Sequence, residues 1–269
     1  MSQFAPVVPL QIAEAMMSAN IFGPYHLVLA HDIIKDAANE RWYADLFTRV
    51  RHRYGADKVK IILDNSVVEL GYPLPMKDLI RAYEIVNATW LVLPDIVGDY
   101  DRTIKLSSEF LAEFDQVESH LRPKVKFMGL TQGNSIPQLI KCARWYSLHS
   151  NVEAIGIPRV ITKVLHTRMD ATLHIWLEFT QRFNWWHLFG FSDDIIDDIA
   201  CAKLPFIDGI DSAVPIRAGI EGKLLSLDYF SIGPRGKFWE TAQPFIDRQM
   251  QNVQHNIGYV RSLIHAPTV

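Results

Sequence analysis

The chain has 269 residues, of which 49% are hydrophobic and 21% are charged, proportions that are ordinary for a compact globular protein. Its 27 Lys and Arg against 30 Asp and Glu give a formal charge of −3, which argues against a protein that coats nucleic acid through a broad basic face but leaves room for a local phosphate-binding patch. With two cysteines, Cys142 and Cys201, a disulfide framework and a cysteine-rich zinc site are both excluded. No apolar run reaches the roughly 18 residues of a membrane span, and the N-terminus lacks the pattern of a signal peptide, so we expect a cytoplasmic protein.

Short apolar runs rich in β-branched residues recur along the chain at a spacing of about 30 residues, the length of one βα unit. Six are well marked and predict strands at Tyr25–Ala30, Val59–Leu63, Trp90–Leu93, Val125–Leu130, Val152–Ile157 and His187–Phe191. Two weaker candidates follow at Gly209–Val214 and Leu224–Phe230.

Segments with helical spacing separate these runs. Leu79, Tyr83 and Val86 fall on one helical face, and a C-terminal helix is predicted over residues 239–265. Strands that are apolar throughout, each followed by an amphipathic helix, indicate an α/β protein whose parallel sheet is covered on both faces. Eight candidate strands favour a (β/α)8 TIM-type barrel, predicted here as a single domain over residues 1–269. An open doubly wound sheet stays the alternative, because the last two strands are weakly marked.

Polar residues collect where the predicted strands end, which is the edge that carries the active site in such a barrel. Asp64, Asp95 and Asp211 end three of the strands, so their carboxylates would converge on one mouth. Taken alone, each is more often a helix N-cap or an Asx-turn. Three carboxylates together suit glycosyl chemistry, in which one attacks or stabilises an oxocarbenium-like carbon and another moves protons. Nearby glycines and Gln132 suit a flat heterocycle, which backbone amides can approach closely.

Several of these segments resemble the guanine transglycosylases, in the same order, over residues 58–220. The segment DSAVPIR, which begins at Asp211, resembles the segment that carries the nucleophile of that family. GLTQG at residues 129–133 and AIGIP at 154–158 resemble its base-binding motifs. LPD, which ends at Asp95, resembles its base-binding acid.

The resemblance implies a base-exchange glycosyltransferase that replaces guanine with a 7-deazaguanine, such as 7-cyano-7-deazaguanine, through a covalent Asp-glycosyl intermediate and without a metal or other cofactor. Asp211 would be the nucleophile and Asp64 the group that moves protons. Because DNSV stands where the family has Asp-Ser-Gly-Gly, Asn65 is the other candidate for that second position. The residues that would bind the base lie at the strand ends, and they are Asp95, Asn65, Ser66, Gln132, Gly133, Gly156 and Ile157.

The family's C-terminal zinc site cannot form in a chain with two cysteines. Because that region supports tRNA binding, its absence favours a resemblance to the zinc-free phage and bacterial DNA-guanine transglycosylases, with DNA and free 7-deazaguanine base as partners. A tRNA-guanine transglycosylase without zinc is the alternative. A base inside a duplex must be flipped out before its sugar carbon can react. Five cationic residues are predicted to contact the phosphates of the nucleic acid, and each could equally be a solvated surface residue. They are Arg159, Arg217, Lys223, Arg235 and Lys237.

Two interpretations from other classes stay open. One is a metal-dependent barrel hydrolase or lyase whose three acids hold a divalent ion, and the other is a catalytically silent binding subunit. His187, inside a predicted strand, is expected to be a core histidine with satisfied hydrogen bonds. Trp185 and Trp186 are expected to pack in the core or at the bottom of the barrel.

Overall fold

The computed structural model describes residues 2–19, 21–116, 125–159, 167–191, 194–226 and 247–266. Within these ranges the strands are β1 (Gln3–Pro6), β2 (Tyr25–Leu29), β3 (Lys60–Asp64), β4 (Trp90–Val92), β5 (Phe127–Leu130), β6 (Val152–Pro158), β7 (Trp185–Phe189) and β8 (Gly209–Ser212). They form one parallel sheet in the order β1-β8-β7-β6-β5-β4-β3-β2. A parallel bridge between Val7 and Leu27 links the two edge strands, so the sheet is nearly closed into a barrel. The predicted (β/α)8 TIM-type α/β fold is confirmed.

Helices alternate with these strands and cover the outside of the sheet. They are α1 (Leu10–Ser18), α2 (Ala30–Ile33), α3 (Ala37–Tyr54), α4 (Val67–Leu70), α5 (Met76–Val86), α6 (Tyr100–Gln116), α7 (Ile136–Ser147), α8 (Arg168–Phe179), α9 (Ile195–Ala202), α10 (Val214–Ile220) and α11 (Asp247–His265). The predicted C-terminal helix is confirmed from Asp247 onward, and its expected start at residues 239–246 lies outside the described residues. None of the helices in the described ranges combines the length and the apolar character needed to cross a membrane.

The first strand of the barrel carries too little sequence signal to be predicted. β1 has four residues and pairs with β8, with Ala5 opposite Asp211. It fills the position between β8 and β2 that the predicted strand Leu224–Phe230 was expected to occupy. That prediction is wrong at its start, because Leu224 and Leu225 are not part of the sheet. Residues 227–230 lie outside the described residues.

Alternation along the strands divides the apolar residues between two cores. In β3, Ile62 belongs to the cluster inside the barrel, whereas its neighbours Ile61 and Leu63 belong to the cluster beneath the helices. This two-residue period is the one a strand imposes on its side chains. The outer core also holds the buried faces of the helices, including the predicted stripe on α5.

Aromatic side chains fill the amino-terminal end of the barrel interior. Tyr25, Trp90 and Trp185 start β2, β4 and β7, and the Trp185 ring centroid lies 5.6 Å from that of Tyr25 and 5.0 Å from that of Trp90. Trp186 points the other way, into the outer core. The predicted packing of both tryptophans is confirmed. With this end filled, open space in the barrel lies toward the carboxyl ends of the strands.

Helix α11 packs on α10 and fixes the loop that follows it. The buried Asn256 side chain accepts a hydrogen bond from the Leu225 backbone N–H at 2.8 Å. Its amide donates to the carbonyls of Pro215 and Lys223 at 3.1 and 3.0 Å. A buried amide whose donors and acceptor are all satisfied specifies one arrangement of the segments it joins.

Candidate active site

A cavity of about 210 Å³ opens at the carboxyl ends of the strands. Asp64 ends β3, Asp95 follows β4 and Asp211 lies in β8, and all three line this cavity. The structure therefore brings together three acids that are far apart in the chain. Apolar side chains that include Leu130 and Phe189 form much of the remaining wall.

Asp95 is held by two side-chain amides. Asn65 Nδ2 donates to Asp95 Oδ1 at 2.8 Å, and Gln132 Nε2 donates to Asp95 Oδ2 at 2.7 Å. Gln132 is itself fixed, because its Oε1 accepts from the Gly98 backbone N–H at 2.8 Å. Burial raises the pKa of Asp95 to about 6, although the hydrogen bonds from Asn65 and Gln132 lower it. Asp95 is thus an oriented carboxylate at neutral pH with further lone pairs available to a ligand.

Asp64 has a different electrostatic environment. Removal from water raises the pKa of Asp64 well above its usual range, and the charges of Glu69, Asp95 and Asp211 raise it further. The Ser66 backbone N–H, which donates to Asp64 Oδ1 at 2.6 Å, acts in the opposite direction. Burial and the neighbouring charges therefore favour the protonated form of Asp64, which is the form that can act as an acid, whereas the hydrogen bonds from two amides favour the carboxylate form of Asp95. Two carboxyl groups whose protonation equilibria are shifted differently by their surroundings are typical of acid–base catalysis.

Asn65 and Ser66 lie behind the acids rather than on the cavity wall. Besides Asp95, Asn65 Nδ2 reaches the Leu93 carbonyl at 2.8 Å, and Asn65 Oδ1 accepts from the Val67 N–H at 2.9 Å. Its polar groups are therefore used by the protein. Of the two candidates for the proton-transfer position, Asp64 is the one that lines the cavity.

Asp211 is held by one side-chain donor and one backbone donor. Its Oδ1 lies 3.0 Å from His187 Nε2 and accepts from the Gly190 N–H at 3.0 Å. The predicted burial of His187 is confirmed, but its contact with Asp211 was not expected. Strand register could have indicated it, because His187 faces Gly209 on the neighbouring strand and Asp211 lies two residues further on the same side.

The other predicted base-binding residues lie beside the cavity and are not among its lining residues. Gly156 packs against the Phe189 ring so closely that a Cβ atom there would lie 2.4 Å from it. This glycine therefore allows Phe189 to form part of the wall. Ile157 is buried, and Gly133 follows Gln132 in the turn before α7.

Two of the five cations predicted to bind phosphate line the cavity, Arg159 and Arg217. Arg217 Nε lies 3.7 Å from Glu221 Oε1. Lys223 Nζ contacts the same carboxylate at 2.9 Å and does not line the cavity. Arg235 and Lys237 lie outside the described residues.

Arg168 supports the edge of the cavity from within the core, and sequence patterns give no sign of this. Its guanidinium is fully buried and pairs with Asp198 at 2.9 Å. It also donates to the backbone carbonyls of Gly190 at 2.7 Å, Phe189 at 2.9 Å and Ile157. One side chain thus joins the carboxyl ends of β6 and β7.

Asp64, Asp95 and Asp211 all line the cavity, but they do not form a metal-ligand group. Among the described residues, no three or more His, Cys, Asp or Glu side chains are grouped as metal ligands would be. This arrangement gives the metal-dependent interpretation no support.

A scan against models of known protein families finds no match to the chain, and a search of curated proteins finds none either.

Proposed function

We propose that the protein is a base-exchange glycosyltransferase that replaces guanine in DNA with a 7-deazaguanine, such as 7-cyano-7-deazaguanine. The observation that supports this proposal is a single cavity lined by Asp64, Asp95 and Asp211, in which the pKa of Asp64 is raised, Asp95 is held by two amide donors and Asp211 lies within hydrogen-bond distance of His187 and the Gly190 N–H. The resemblance of five segments to the guanine transglycosylases points to the same chemistry.

In the first step, Asp211 attacks C1′ of the target nucleotide through its Oδ2 atom. A bond forms between Oδ2 and C1′, and the C1′–N9 bond breaks with its electron pair going to guanine. Asp64 donates its proton to the departing base. The products are neutral guanine, ionised Asp64 and a glycosyl ester at Asp211.

In the second step, the incoming 7-deazaguanine reverses these changes. Asp64, now a carboxylate, takes the N9 proton of the free base, and N9 attacks C1′ as the ester bond breaks. The Asp211 carboxylate and the Asp64 acid are restored. Two successive displacements at C1′ retain the configuration of the glycosidic bond.

The side chains around the cavity fit a guanine-like base. Asp95 can accept hydrogen bonds from its N–H edge, and the second Nε2 hydrogen of Gln132 can donate to its carbonyl oxygen. Leu130 and Phe189 offer apolar contact to the ring. Arg159 and Arg217 line the cavity, and in this proposal they contact the phosphates of a flipped nucleotide.

The test is to incubate the full chain with radiolabelled 7-deazaguanine and with either duplex DNA or tRNA. We expect label to enter DNA, and a DNA adduct at Asp211 to be recovered after denaturation and mapped by mass spectrometry. Asp211→Asn should abolish both signals. Asp32→Asn changes an acid in α2 at the same end of the barrel but outside this cavity, and it should leave both unchanged.

Each other outcome identifies an alternative. Label that enters tRNA alone overturns the DNA substrate. Absence of exchange and of adduct with both nucleic acids overturns the transglycosylase proposal, and a hydrolytic activity abolished by a chelator would replace it with the metal-dependent interpretation.

A further inference from the structure

A buried chain of hydrogen bonds runs behind Asp211 into the barrel interior. Trp185 Nε1 donates to the Tyr25 hydroxyl at 3.0 Å, that hydroxyl lies 2.6 Å from His187 Nδ1, and His187 Nε2 lies 3.0 Å from Asp211 Oδ1. Tyr25, His187 and Asp211 are 2%, 0% and 6% exposed. Four strand residues therefore form a line of polar contacts in an otherwise apolar core.

The donors and acceptors available to Tyr25 set the direction of the chain. Indole N–H can only donate, so the Tyr25 oxygen accepts from Trp185. The buried Tyr25 hydroxyl needs an acceptor for its own hydrogen, and His187 Nδ1 at 2.6 Å is the acceptor within reach. Nδ1 is then an acceptor, which places the hydrogen of a neutral imidazole on Nε2, facing Asp211. Burial lowers the pKa of His187, although the hydrogen bond to Asp211 raises it, and this favours the neutral ring.

The barrel is shaped to admit this arrangement. A Cβ atom at Gly209 would lie 2.3 Å from the Tyr25 ring, so the space that Tyr25 occupies exists because residue 209 is glycine. Buried polar groups destabilise a core unless each is hydrogen-bonded. An apolar side chain would satisfy packing at His187 without these requirements, and therefore packing alone does not account for the network.

We infer that His187 is a positioning residue for Asp211, fixed by Tyr25 as the Nε2–H tautomer. Together with the Gly190 N–H it holds Oδ1, which leaves Oδ2 as the oxygen available to attack. Among the described residues Oδ2 has no hydrogen-bond partner, and Asp211 lines the cavity. This inference rests on the proposed function.

In the first step of the exchange the two donors orient Asp211, and in the second they stabilise the charge that returns to it. When Oδ2 bonds to C1′, Oδ1 becomes the carbonyl oxygen of the ester, and when the ester breaks, negative charge returns to both oxygens. N–H groups already directed at Oδ1 stabilise that returning charge without reorganisation. No proton moves along the chain from Trp185 to Asp211, since His187 stays neutral throughout.

The direct test is nitrogen-15 NMR of His187 in the full chain, which distinguishes the two neutral tautomers. We expect the Nε2–H form in the wild-type protein and a mixture of forms in Tyr25→Phe, which lacks the hydroxyl. Tyr43→Phe, a buried tyrosine of the outer core, is the matched control and should keep the Nε2–H form. An Nδ1–H tautomer or an imidazolium in the wild-type protein overturns the inference, whether or not base exchange occurs.

Kinetics test the consequence for Asp211. Loss of a donor of this kind lowers kcat by about 100-fold or more, so His187→Leu should show that fall while KM for the free base, which Asp95 and Gln132 bind, is unchanged. His187→Gln, which keeps a donor amide near the Nε2 position, should recover most of the rate. Wild-type kcat in a folded His187→Leu overturns the inference, and Tyr25→Phe and His187→Gln test it if that variant does not fold.

Failure of the proposed function gives a separate result. If the wild-type protein exchanges no base while His187 is the Nε2–H tautomer, the transglycosylase proposal is overturned and the placement of Asp211 by His187 is supported.

Discussion

Replacing Arg168 with Met tests whether one buried guanidinium holds the edge of the cavity in place. Met replaces the unbranched aliphatic part of Arg but is shorter and lacks the forked guanidinium, so the substitution removes the charge and the donors while filling part of the volume. The variant leaves Asp198 without the counter-charge of Arg168, and it leaves three backbone carbonyls at the ends of β6 and β7 without the hydrogen-bond donor that Arg168 supplies.

The magnitude follows from these contacts. Removing one partner of a buried ion pair destabilises a protein by about 3–5 kcal/mol, and each buried carbonyl left without a donor adds about 1 kcal/mol. We expect Arg168→Met to lower the free energy of unfolding by about 5 kcal/mol or more, a large fraction of the roughly 5–15 kcal/mol that stabilises a typical domain.

Urea denaturation followed by circular dichroism at pH 7 measures this change. The matched control is Arg182→Met, because the Arg182 guanidinium donates to the carbonyls of Ser147, His149 and Val152 near the opposite ends of the strands. Arg182 is only half-buried, so this variant should lose about 1–2 kcal/mol. A loss below 1 kcal/mol in Arg168→Met, or one no larger than in the control, would refute the reasoning.

Three further predictions come from the structure, two for Asp95, the acid that would bind the base, and one for the glycine beneath Tyr25. Asp95 has a pKa of about 6, and its protonated form is a poor hydrogen-bond acceptor, so it should bind free 7-deazaguanine about tenfold more weakly for each pH unit below 6. Calorimetry between pH 5 and 7 measures this dependence. An affinity that does not change with pH over this range contradicts the prediction. The pH dependence of folding stability has the opposite sign to that of binding. Native Asp95 binds its proton more tightly than the unfolded chain does, so it contributes about 3 kcal/mol of stability below pH ~4 that is lost as pH rises through about 6. The fall in stability with pH should be smaller by about this amount in urea titrations of Asp95→Asn. Gly209→Ala should destabilise by about 1–3 kcal/mol through overpacking against Tyr25, whereas Gly258→Ala, in helix α11 with no atom within 4 Å of the added Cβ, should be neutral or stabilising in the same titration.

The sequence predicts the fold wherever apolar runs are long enough to show a period. Six well-marked strands, the weaker Gly209–Val214 and the stripe on α5 suffice for the barrel, and the rule that strand ends share one edge brings Asp64, Asp95 and Asp211 together. β1 cannot be predicted from the sequence, because its four residues are too few to show a period and form a strand by pairing with β8.

The residues that hold the site in place, His187, Tyr25 and Arg168, cannot be predicted from the sequence for a related reason. His187 and Tyr25 are 162 residues apart, and a histidine in a buried strand looks the same in sequence whether or not a tyrosine and a carboxylate face it. Arg168 opens a helix, where a cation is usually solvated, and only the packing of α8 against the sheet shows that its guanidinium is enclosed. Contacts made across the barrel depend on register and tilt, which local patterns do not encode.

The closure of the barrel between β1 and β2 bears on the size of the ligand that the cavity can accept. In the described ranges, one backbone bridge, between Val7 and Leu27, makes this join, and both residues line the cavity. Each of the other joins between neighbouring strands has at least two paired residues, so we expect local opening to be easiest where β1 meets β2. We expect a bulky group on a bound heterocycle to be accommodated by parting of these two strands, and amide exchange in that part of the wall to slow when the slot is filled.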